Sequence, residues 1–215
     1  MATHLDILNR LVQEKLVAVV RLDSGDQLIK VAEALKAGGI SVIEFTVPTP
    51  NSLEMIKQAS SHFGDAVLLG SGTVLDPETA RAAILSGAQF IVTPALNPKT
   101  IEICRRYGKP IIPGALTPTE ILTAWEAGAD LVKVFPADTM GPGYIKAVLA
   151  PLPQIRLVPT GGVSTENAAE YLKAGAVALG VGGKLVSKEV VARGDWAAIT
   201  AEAQKLVQAV HRANA

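Results

Sequence analysis

Cysteine is almost absent from this 215-residue chain, and a single Cys104 excludes an intramolecular disulfide. Histidine is nearly as scarce: His4, His62 and His211 lie far apart, so a Cys/His metal site is not expected. Net charge is missing too, with 20 Lys plus Arg against 20 Asp plus Glu, and nothing in that balance asks for nucleic acid or a membrane surface. No apolar run approaches the roughly 18 residues of a spanning helix without a charge or turn signal. Nor does the N-terminal stretch combine basic residues, an apolar run and a cleavage site. The expectation is a soluble, cytoplasmic protein with no Cys/His metal site and no cofactor. What the chain does have is apolar bulk: hydrophobic residues make up 49% and charged ones 19%, which suffices for a sizeable core.

Apolar residues at Leu5, Leu8, Leu11 and Val12 follow helical spacing and predict an N-terminal helix within residues 1–15. After it, a unit of apolar strand, short loop, helix and turn signal recurs eight times at a spacing of about 20 to 27 residues. The strands are expected at 16–21, 42–46, 67–73, 90–94, 110–114, 131–136, 155–160 and 177–183. Helix signals fall between them: residues 28–37 stop at Gly38-Gly39, Thr117-Pro118-Thr119-Glu120 is a cap with proline at the first helical position, and a helix over 165–174 follows strand seven. Strands this apolar have parallel-sheet character. Eight equal α/β units close naturally into a (β/α)8 TIM barrel, expected as one domain over 1–215. An open doubly wound sheet is the alternative, but no Gly-x-Gly-x-x-Gly opens a helix after the first strand.

Active sites of such barrels form at the C-terminal ends of the strands. There the sequence delivers Arg21, Glu44 with Thr46, Ser71 with Thr73, Thr93 with Pro94, and Lys133 with Phe135. Strands seven and eight add Thr160, Gly161 and Gly162, then Gly182 and Gly183. Alternation along the sixth strand puts Leu131, Lys133 and Phe135 on one face and Val132 and Val134 on the other. In a closed apolar interior, desolvation penalises an ammonium and leaves a fraction of free amine able to attack a carbonyl, the logic of a Schiff-base lysine. The plainer reading is a strand lysine that reaches solvent or pairs with a carboxylate.

Glu44 shares its face with Val42 and Thr46, and a carboxylate near that lysine can move protons as general acid and base. Alternatively the two form a structural ion pair, although burying one gains little stability. Gly161-Gly162 and Gly182-Gly183-Lys184 offer backbone N–H groups, helix N-termini and a cation to a phosphate or carboxylate. Arg21, in phase with Val17 and Val19, is either a surface arginine or a bidentate clamp for a 2-oxo acid carboxylate.

With these residues in place, the chain resembles the class I aldolases of the 2-keto-3-deoxy-6-phosphogluconate (KDPG) and 4-hydroxy-2-oxoglutarate (KHG) type. The likeness runs through Ala37-Gly38-Gly39-Ile40 before Ile43-Glu44, Gly70-Ser71-Gly72-Thr73-Val74-Leu75, Phe90-Ile91-Val92-Thr93-Pro94, Ile112-Pro113-Gly114, Lys133-Val134-Phe135-Pro136-Ala137 and Pro159-Thr160-Gly161-Gly162-Val163. It implies a homotrimeric, metal-independent barrel that cleaves KDPG to pyruvate and glyceraldehyde 3-phosphate. Lys133 would form the Schiff base, Glu44 would be the acid/base, Thr73 and Pro94 would line the pyruvate pocket, Phe135 would wall it, and Gly161 and Gly162 would take the phosphate.

Two departures bear on the substrate. Many members carry an arginine four residues after the glutamate, where this chain has Pro48; others, including those acting on the phosphogalactonate analogue, carry one at the end of strand one, as Arg21 does. Many place a serine after the glycine of strand eight, where this chain reads Gly182-Gly183-Lys184. Unphosphorylated KHG, oxaloacetate decarboxylation on the same lysine, and a non-covalent phosphate-binding barrel stay open.

Overall fold

Local signals set the ends of most elements. In the computed structural model, which describes residues 2–213, α1 (His4–Glu14) starts at a capping box: Thr3 accepts from Asp6 N–H while the Asp6 carboxylate accepts from Thr3 N–H. Met1, Asn214 and Ala215, part of the expected domain span, lie outside the described residues. β1 (Leu16–Val20), α2 (Leu28–Ala37), β2 (Val42–Thr46), α3 (Ser52–Phe63) and β3 (Leu68–Gly72) follow. Asp76 caps α4 (Pro77–Leu85) by accepting from Thr79 N–H at 2.6 Å, then come β4 (Phe90–Val92) and α5 (Pro98–Arg106). The fifth expected strand is two pieces, β5 (Ile111–Ile112) and β6 (Gly114–Ala115), and a Thr117/Glu120 capping box opens α6 (Pro118–Glu126). The rest is β7 (Val132–Val134), α7 (Gly141–Leu149), β8 (Leu157–Pro159), α8 (Ala168–Lys173), β9 (Leu179–Val181), α9 (Lys188–Ala192) and α10 (Trp196–Ala213).

Every strand pair is parallel, in ladders ordered β5-β4-β3-β2-β1-β9 and β6-β7-β8. Pro113 separates the ladders at one seam because it has no N–H to donate. Its carbonyl still accepts from Lys133 N–H at 2.9 Å, so the chain passes from one ladder to the other without leaving the wall. A parallel bridge from Thr160 to Gly180 joins β8 to β9 at the other seam. The wall is therefore the expected barrel, and among the described residues nine strand segments make its eight strands.

Strand parity sorts the apolar side chains into two layers. Val17, Val42, Leu68, Ile112, Leu131 and Val158 fill the barrel interior, and Ile7, Leu8 and Leu11 of α1 pack beneath them. Ala18, Ile43, Phe45, Leu69, Val132 and Val134 point outward into the layer shared with the helices. The helix α1 thus closes the N-terminal end of the barrel. His4 Nε2 meets Asp130 Oδ1 at 2.7 Å and Asp130 Oδ2 accepts from Ile111 N–H, which ties the plug to the rim. Cys104 is fully buried in α5, where burial and the neighbouring Asp130 push its thiol up to about 12, so it is an inert core residue. Among the described residues, no helix is long and apolar enough to cross a membrane.

Candidate active site

With the bottom plugged, the C-terminal mouth holds a cavity of about 480 Å³. Lys133 sits mid-way along β7, paired with Gly114 on one side and Val158 on the other, and it is 5% exposed. Its Nζ lies 4.8 Å from the centre of the Phe135 ring, which forms one wall of the cavity. Leu131 lies below it in the interior core, so the side-chain alternation inferred for this strand holds.

Glu44 enters from β2 and is 2% exposed. Space for it comes from the next strand: a Cβ built on Gly72 would stand 1.6 Å from Glu44 Oε1, so only glycine leaves the carboxyl its position. Burial pushes this carboxyl above the usual carboxylate range, against the smaller opposing pull of the Lys133 and Arg21 charges. Oε1 has no hydrogen-bond partner, and among the described residues no ion pair joins Glu44 to Lys133. The two groups face one cavity but are not a contact pair holding the wall together.

Arg21 leaves the end of β1 and donates from Nη2 to Thr73 Oγ1 at 3.2 Å. Thr73 has φ 56°, a left-handed conformation that a β-branched residue adopts only under constraint, at a cost of about 1–3 kcal/mol. Val74 behind it is fully buried and donates to Val92 O at 3.2 Å, which supplies that constraint. Pro94 lines the same wall. Thr93 does not: its hydroxyl donates to Ala95 O at 2.6 Å and accepts from Gly114 N–H at 3.1 Å, fixing the turn after β4. Pro48 is exposed and away from the cavity.

The opposite side is a pair of glycine turns. Gly161 and Gly162 have φ 99° and 68°, which place the backbone of this turn along the cavity. Asn167 pins the turn by accepting from Ser164 N–H and donating to Gly162 O. That bracing consumes the first helical turn, so α8 starts at Ala168 rather than Thr165 and no helix N-terminus stands at Gly162. After β9 the chain turns tightly, with Leu185 and Val186 N–H both on Gly182 O, and Gly183 and Lys184 line the cavity. Here too the regular helix starts later, at Lys188, so neither glycine turn opens directly into a helix.

Lys133, Glu44, Arg21, Thr73, Pro94, Phe135, Thr160, Gly161, Gly162, Gly182, Gly183 and Lys184 therefore share one cavity. Thr46 does not join them. The chain turns immediately after it, and its buried hydroxyl faces Thr49 Oγ1 at 3.4 Å beneath the loop. Ser187, Lys188 and Glu189 line the cavity without having been singled out from the sequence. A serine cap followed by an acid in the first turn was the available signal, since Ser187 accepts from Val190 N–H to open α9.

The arrangement offers a buried amine and, at the centre, a buried carboxyl whose proton affinity is raised by burial, a guanidinium at one side, and glycine turns with lysines at the other. Matches to known proteins agree with it. The family model described as "KDPG and KHG aldolase" covers residues 7–202. A 2-dehydro-3-deoxy-phosphogluconate aldolase of Treponema pallidum is 38% identical over 95% of this chain and 97% of its own. A 2-dehydro-3-deoxy-6-phosphogalactonate aldolase of Escherichia coli is 37% identical over 79% of this chain and 83% of its own. The KDPG aldolase of Legionella pneumophila, solved with pyruvate captured as a covalent carbinolamine, superposes with a TM-score of 0.86 at 28% identity, covering 93% of this chain and 97% of that one. The chain belongs to the KDPG and KHG aldolase family of carbon–carbon lyases.

Proposed function

We propose that this cavity carries out reversible Schiff-base aldol cleavage of KDPG to pyruvate and glyceraldehyde 3-phosphate, with KHG as a second substrate cleaved to pyruvate and glyoxylate. The observation that carries the reading is a buried Lys133 facing the same cavity as a buried, unpaired Glu44 carboxyl oxygen. Lys133 Nζ adds to the C2 carbonyl, and loss of water leaves a protonated imine as electron sink. Glu44 removes the C4 hydroxyl proton, the C3–C4 bond breaks towards the imine, and the aldehyde leaves an enamine. Protonation at C3 and hydrolysis then release pyruvate and free the lysine. A carboxyl whose proton affinity is raised by burial suits both directions of that transfer.

In this reading Arg21 and Thr73 hold the substrate carboxylate, Pro94, Phe135 and Thr160 shape the pocket around the carbon chain, and Gly161, Gly162, Gly182, Gly183 and Lys184 take the phosphate. A second reading changes only the configuration at C4. The cavity-lining Arg21 with Pro48 turned away, together with the 37% identical phosphogalactonate aldolase, favours the C4 epimer as substrate. Turnover of each epimer, followed through pyruvate release, separates the two: the better substrate has the higher kcat/KM, and release of pyruvate from neither defeats the reading.

The working form we propose is one barrel domain in a cytoplasmic homotrimer. Leu75 and Leu85, 64% and 65% exposed, give α4 and the loop before it apolar side chains that an interface would cover. Light scattering is expected to return three chains per particle; a monomer would remove this part of the proposal.

A further inference from the structure

Four cationic side chains line the cavity, Arg21, Lys133, Lys184 and Lys188, and among the described residues only Lys188 is held by an acid in an ion pair. Lys188, the first residue of α9, donates its Nζ to Asp23 Oδ1 across 165 residues of sequence. Asp23 stands two residues after Arg21, on the loop leaving β1, and is not itself part of the cavity wall. The side chains are 56% and 79% exposed. A pair so exposed is worth at most about fivefold in an equilibrium, so it yields readily to a stronger anion. Lys188 lines the same cavity as Gly162, Gly183 and Lys184, where the chemistry calls for an anion.

We propose that Lys188 determines specificity for a doubly charged, phosphorylated substrate end, and that Asp23 competes with the substrate for it. The inference rests on the aldolase reading of the cavity. Lys188 would exchange Asp23 for the phosphate when the substrate arrives, adding a second ammonium beside Lys184. A phosphate near neutral pH carries between one and two charges and three strong acceptor oxygens, whereas Asp23 offers one exposed carboxylate. Unphosphorylated substrates end short of this exchange and gain nothing from it.

The test uses Lys188→Met and Asp23→Asn, both at exposed positions, with KM measured for KDPG and for KHG. Lys188→Met is expected to raise the ratio of the KDPG to the KHG value about fivefold, the order of one exposed charge pair. Asp23→Asn is expected to move that ratio the opposite way, by about twofold, because it releases the lysine. Parallel shifts in both variants would mark the pair as a structural strap, and an unmoved ratio would mark it as idle surface; either overturns the assignment. Calorimetric binding of inorganic phosphate reads the same exchange without turnover. A protein that cleaves neither substrate would sink the aldolase reading, while weaker phosphate binding in Lys188→Met and tighter binding in Asp23→Asn would still support the exchange.

Discussion

The carboxyl of Glu44 occupies the space a side chain on Gly72 would need, with Oε1 1.6 Å from where a Cβ would be. The position of the acid/base group is therefore set by a glycine on the neighbouring strand. The same relation recurs where Gly180 makes room for Thr160 Oγ1, 2.2 Å from a Cβ there. In both places the interior side chain of one strand lies over the bare backbone of the next.

Gly72→Ala is expected to displace the Glu44 carboxyl and lower kcat about 100-fold, the cost of a misplacement near 1 Å at a reacting group. Circular dichroism alongside turnover distinguishes displacement from unfolding. A folded variant with full kcat would show that the carboxyl position does not matter.

Glu44→Gln is expected to lower kcat about 10²- to 10⁴-fold while raising thermal stability at neutral pH. The sign follows from burial: the folded protein holds the Glu44 proton more tightly than the unfolded chain. Stability from this group is complete below the unfolded carboxylate range and is lost as pH rises through the folded value. The stabilising effect of glutamine therefore grows with pH and fades in acid. Melting scans from acidic to neutral pH check it, and a variant less stable than the parent at neutral pH would contradict it.

Arg21→Met keeps the aliphatic stem but removes the guanidinium and its bond to Thr73. It is expected to raise KM for 2-oxo acids about 10-fold or more, as loss of a charge-assisted contact does. Because Arg21 also draws the Glu44 carboxyl downward, the acidic limb of the kcat/KM profile should move to higher pH. Unchanged KM and an unmoved limb would leave Arg21 as a surface arginine.

Leu11→Ala takes a fully buried side chain out of the plug beneath the barrel, at an expected cost of about 2–5 kcal/mol. Urea unfolding measures it. A loss below about 0.5 kcal/mol would mean that α1 is not part of the core.

Much of this was legible in the sequence because a strand has a period of two. The parity argument alone turns Lys133 and Glu44 inward with Leu131 and Val42, and the structure places all four there. What escaped depends on contacts between distant or irregular segments. Thr46 shares the parity of Glu44, but the turn at Val47, whose N–H donates to Gly72 O, takes its hydroxyl under the loop. Thr165 looked like the start of a helix, yet the Asn167 side chain braces Gly162 and delays the helix to Ala168. Pro113 was visible as a proline, but only the two ladders show it as a seam. The Lys188–Asp23 pair joins the two ends of the barrel wall, a closure that local pattern does not encode.

The most direct measurement is to incubate the protein with pyruvate, reduce it with borohydride and map the adduct by peptide mass spectrometry. Imine chemistry requires a single modified lysine, Lys133, with no adduct formed in Lys133→Met. Folded protein that takes up no pyruvate in excess, or takes it up on another lysine, would contradict the assignment of the buried amine.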